Sequence, residues 1–115
     1  MNISQLDSLV DEFTKKATAH GDAMRMGDDD VANKLHADLM RLLDSVGTSG
    51  TEGAAKLMEL LEHSETSVRL WAATQVLREN ESKAIATLQS ISDAGGISSL
   101  NARSVLDLWK KGMLK

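Results

Sequence analysis

Residues 66–77 constrain this chain more than any other stretch. Val68, Leu70, Trp71, Ala72, Ala73, Val76 and Leu77 spread round most of a helix circumference, and a helix with so little polar surface needs neighbours on several sides. The segment before it is patterned differently. Ala54, Leu57, Met58 and Leu61 fall at i, i+3, i+4 and i+7, with Lys56, Glu59 and Glu62 off that stripe, which describes a helix apolar on one face only. A short polar turn joins the two. Residues 51–80 therefore read as a helical hairpin whose second member, the most buried helix expected, must be covered by the rest of the chain. Trp71 and Trp109 keep the spacing of apolar stripes and are expected to be structural core residues.

The remaining segments supply the cover. Asn2 with Gln5 can cap a first helix carrying Ile3, Leu6, Leu9, Val10, Phe13, Ala17 and Met24. Gly21 lies inside it at a cost of about 1 kcal/mol relative to Ala, and close approach of another helix is the reading that lets the helix continue. Gly27 followed by Asp28, Asp29 and Asp30 stops that helix and starts a second, with Val31, Leu35, Leu39, Leu42 and Val46 on one face and Met40 and Leu43 beside it. The run 47–50, Gly-Thr-Ser-Gly, is the longest loop-like stretch and is read as a flexible joint. Asn80 ends the fourth helix and Glu81 begins a fifth, bearing Ala84, Ile85, Leu88, Ile91 and Ala94, which Gly95 and Gly96 end. Ser98 or Ser99 then caps a sixth, with Leu100, Ala102, Val105, Leu106, Trp109 and Met113 apolar. Without proline, cysteine or tyrosine, and with Phe13 the one phenylalanine, the palette is helical. The expected fold is all-α: one domain over residues 1–115, a short right-handed α–α superhelix of about six helices in three antiparallel pairs.

Residues 64–77, a polar turn followed by Val68-Arg69, the pair Ala72-Ala73 and then Leu77, resemble the second helix of a HEAT repeat. The turn departs from that pattern, carrying Ser-Glu-Thr where the repeat has Asp-Pro. The chain is similar to the small bacterial HEAT-like families of uncharacterised function, most strongly over 51–80. That resemblance implies close packing at the alanine pair, an internal structural role for Arg69 on the adjacent turn, and binding of another protein.

Charge narrows the function classes. Up to residue 51 there are five Lys/Arg against nine Asp/Glu, and from 52 onward eight of each, so the net charge of −4 belongs to the first half. Such a half disfavours nucleic acid, which needs cations on phosphate. It suits a basic protein partner, and the candidate contact residues are Asp22, Asp28, Asp29, Asp30 and Asp38. Asp28, Asp29, Asp30, Asn33 and His36 have helical spacing that could gather metal ligands, but capping accounts for the acids. His20 and His63 lie toward helix C-termini, where the dipole favours imidazolium, and neither has a nucleophile or paired acid at a telling spacing. No phosphate loop follows any glycine-rich stretch. No catalytic residue, metal or cofactor is expected. The absence of a basic, then apolar, leader and of any apolar run near 18 residues points to a cytoplasmic chain with no membrane partner. The expected function is a non-catalytic protein–protein interaction module of regulatory or immunity type; the alternative is a metal- or nucleic-acid-binding HEAT-like protein, the latter using Arg103, Lys110, Lys111 and Lys115.

Overall fold

The computed structural model describes residues 3–113, so the Asn2 cap and Lys115 lie outside the described residues. Six helices follow in order: α1 Ile3–Met26, α2 Asp29–Gly47, α3 Gly50–Leu60, α4 Thr66–Val76, α5 Glu81–Ala94 and α6 Ile97–Lys110. They form three antiparallel pairs, and α4 packs against every other helix. Val68, Ala72, Ala73 and Val76 of α4 are fully buried, as a helix apolar all round requires.

Gly21 does not break α1, because it is where α1 meets α4. A Cβ at Gly21 would stand 1.9 Å from Ser67 Oγ and 2.9 Å from Ser67 Cβ. At the α1–α2 turn Gly27 takes φ +71°, Asp28 N donates to Ala23 O at 2.9 Å, and the Asp28 carboxylate accepts from Val31 N at 3.2 Å. Asn80 caps α5 in the same way, its Oδ1 accepting from Lys83 N at 3.3 Å.

Three expectations are corrected. The run 47–50 is not a loop: Gly47 and Gly50 belong to the helices, only Thr48 and Ser49 lie outside them, and their hydroxyls donate to Asp44 O at 2.9 Å and Ser45 O at 2.7 Å. These hydroxyls supplement the backbone bond from Thr48 N to Asp44 O at 3.0 Å in satisfying the carbonyls of the last turn. Neither Ser98 nor Ser99 caps α6. Gly95 and Gly96, at φ +79° and +85°, turn the chain straight into the helix, and Ser99 Oγ donates back to Gly96 O at 2.7 Å. The inward face of α2 is displaced toward Ala32, which is buried, whereas Val31 and Met40 are exposed; Leu100 and Met113 are exposed too. Stripes drawn from sequence spacing assume cover along the whole helix, and here the cover stops short.

Lys16 on α1 holds Glu12 at 3.0 Å and Asp38 of α2 at 2.9 Å, while Lys56 of α3 reaches Asp7 of α1 at 3.3 Å. The Lys16 hydrogen bond keeps the Asp38 carboxyl below its usual range, and the Asp38 and Glu12 carboxylates push the Lys16 ammonium up. Exposed pairs like these fix register more than they stabilise. Among the described residues, no helix is long and apolar enough to cross a membrane.

Candidate functional site

Where cover stops short, a groove of about 700 Å³ opens. Its floor is α4, through Leu70, Trp71 and Thr74; one wall is the end of α1 and the first half of α2, and the other is α6. α4 bears more apolar surface than its neighbours hide, and Trp71 is the excess: its ring packs on the core at one edge and is only half-buried. His20 of α1 and His36 of α2 meet it there. Their ring centroids lie 5.2 and 5.3 Å from the indole, at interplanar angles of 89° and 67°, and 6.5 Å from each other. Edge-to-face contacts of this kind hold all three rings in place.

Burial, and then the neighbouring His36, push the His20 imidazole below its ordinary value of 6.5, so His20 is neutral at pH 7. Unfolding lets it take up a proton, so the contribution to stability is complete above 6.5 and is lost as pH falls from there through the folded value. Wild-type protein is therefore expected to lose more melting temperature between pH 7.5 and 5 than His20→Gln does. Equal losses in the two proteins would show that the groove does not hold this ring neutral.

The walls carry two other kinds of group. Met40 on one side and Ile97 and Leu108 on the other are exposed apolar side chains facing the same space. Asn33 of α2 and Asn101 of α6 are exposed on opposite walls, and the side chain of neither makes a hydrogen bond among the described residues. Among the described residues, no lysine or arginine lines the groove, and Asp29 is its one carboxylate.

The residues singled out from sequence are dispersed by the fold. Asp29 lines the groove, Asp28 is the α2 cap, and Asp30 is exposed beside them. Asp22 is paired with Arg25, and Asp38 with Lys16 and Arg41. Arg69 turns back on the α3–α4 corner, donating to His63 O at 2.9 Å, Ser64 O at 3.3 Å and Thr66 Oγ1 at 3.1 Å. His63 Nδ1 accepts from Glu65 N at 3.0 Å. Trp109 is half-buried against the core. Among the described residues, no three histidine, cysteine or acidic side chains converge on a point that could hold a metal ion. The α6 cations are not pooled either: Arg103 donates to Ser92 Oγ at 3.0 Å, and Lys111 pairs with Asp107 at 2.9 Å. Sequence reasoning missed the groove and did not bring Asn33 and Asn101 together on its walls. The available signal was the surplus of apolar positions in residues 68–77 over what the other stripes could hide.

The fold is shared with a protein of known crystal structure, RPA1889 from Rhodopseudomonas palustris CGA009, at a TM-score of 0.86 and 24% identity over 100% of this chain and 98% of that one. No curated protein matches the chain. The profile of the DUF2019 family, a domain of unknown function, matches residues 7–109, which is nearly the whole of the six-helix fold, and the chain therefore belongs to that family.

Proposed function

We propose that this chain is a non-catalytic interaction module whose groove over α4 receives a basic protein partner, in a regulatory or immunity-type role. One observation carries the reading: Met40, Ile97 and Leu108 stand exposed on facing walls above the half-buried Trp71. Exposed apolar groups round an aromatic floor offer contact area to be buried by a partner, with tryptophan suited to the centre of such a contact. Electrostatics agree, since among the described residues no lysine or arginine lines the groove, which lies against the acidic start of α2. The HEAT-like reading of α3 and α4 belongs here too. Arg69 bonding to the carbonyls of its own corner, and the buried pair Ala72 and Ala73, support a helical-repeat packing that functions through surface contacts.

Capture of partners from the lysate of the source cells, with wild-type chain as bait and with Met40→Glu, Leu108→Glu and Lys83→Glu, tests the assignment. The two groove variants are expected to lose a protein that wild type and the α5 control retain. Retention by all four baits would place the contact elsewhere.

A further inference from the structure

The groove carries more than apolar surface, and its polar groups restrict what can occupy it. Asn33 and Asn101 present free side-chain amides from opposite walls. A carboxamide offers two donors and one acceptor oxygen, which matches the N–H and C=O of a peptide bond. A helix docked here would bring a backbone already bonded to itself and leave both amides idle; an extended segment brings main-chain groups that need partners. Trp71 lies between them on the floor, its indole fixed by His20 and His36. The stem of a long cationic side chain packs well on such a ring, and its charge is attracted to the ring face. Asp29 also lines the groove, with Asp28 and Asp30 next to it in the sequence. Their three carboxylates outweigh the roughly half positive charge of the α2 dipole, and among the described residues no lysine or arginine lines the groove to compete.

Resting on the groove assignment above, we propose that the occupant is an extended basic segment of the partner, its backbone held by Asn33 and Asn101 and a lysine or arginine side chain laid over Trp71 toward Asp29. Recognition then depends on alternation: a cationic residue points to the floor while the peptide groups on either side meet the two walls.

The probe is the capped hexapeptide acetyl-Val-Lys-Thr-Arg-Val-Lys-amide, too short to hold a helix in water. It is titrated against Trp109→Phe protein so that Trp71 is the reporter, beside a version with glutamate at every cationic position and a stapled basic helix of equal charge. The basic hexapeptide is expected to change Trp71 emission, more weakly as salt rises, and the acidic one to leave it unchanged. Asn33→Ala with Asn101→Ala should raise Kd by about tenfold, the usual loss for hydrogen bonds of this kind. Asp29→Asn should weaken binding and flatten its salt dependence. Equal binding of the acidic peptide, tighter binding of the stapled helix, or indifference to the paired asparagine variants overturns the proposal. If no hexapeptide binds while Met40→Glu and Leu108→Glu still abolish capture, the groove stands and the extended basic occupant falls. If capture is also indifferent to those variants, both fall.

Discussion

Phe13→Ala is expected to lower the free energy of unfolding by about 3 to 5 kcal/mol, read from urea denaturation, because the phenyl ring is among the largest side chains fully enclosed. Only 1% of Phe13 is exposed, and α1 at that level is backed by the core that α2 and α4 share. The space left is apolar and stays dry, and its walls close over it only in part. In a domain whose whole stability is about 5 to 15 kcal/mol, such a loss takes a large share. Trp71→Ala provides the contrast. Indole is the larger ring, but Trp71 is only partly buried and lines the groove, so the expected loss is less than that for Phe13, while partner capture should disappear. Comparable destabilisation at both sites would mean that Trp71 serves the core first, and its role in the groove would need another carrier.

The second large effect is expected at the α2–α3 corner. Gly53→Ala places a Cβ 2.0 Å from the Val46 carbonyl oxygen and 2.9 Å from Ser49 Cβ, and a backbone atom cannot rotate away as a side chain can. The substitution gains about 1 kcal/mol of helix propensity against an overpacking cost of about 1 to 3 kcal/mol, occasionally more. Contact with main chain puts this site at the upper end, so net destabilisation is expected despite alanine being the better helix former. Gly21→Ala is the companion case with a movable obstacle. Its clash is with Ser67 Oγ and Cβ, so Ser67→Gly should recover part of the loss, and the two substitutions should be non-additive in a double-mutant cycle. Strict additivity would show that α1 and α4 do not meet at these residues. An increase in melting temperature for Gly53→Ala would show that the corner is looser than its hydroxyl caps imply.

The sequence alone determined the helices, their order and the helix that lies at the centre. These are local matters of period and punctuation: Ala54, Leu57 and Met58 in α3 and Ala84, Leu88 and Ile91 in α5 keep helical spacing, and Gly27, Asp28 and Asn80 end or cap a helix through their own backbone freedom or side-chain reach. The close approach behind Gly21 was legible for the same reason, since a glycine inside a strong apolar stripe costs propensity that only packing offsets. Tertiary structure decided the rest. That 47–50 closes to a two-residue corner depended on where α2 and α3 meet, with two hydroxyls reaching carbonyls of the preceding turn, and which residue starts α6 depended on two successive left-handed glycines. Which acids are free depended on cations brought from other turns and helices, as Lys16 takes Asp38. Trp71 shows the division most clearly. Its spacing marks it as apolar helix surface, and spacing cannot say where neighbouring helices end. Only the angle at which α1, α2 and α6 leave α4 uncovered, a property of the whole packed molecule, turns a core tryptophan into the floor of a groove with Asn33 and Asn101 across it.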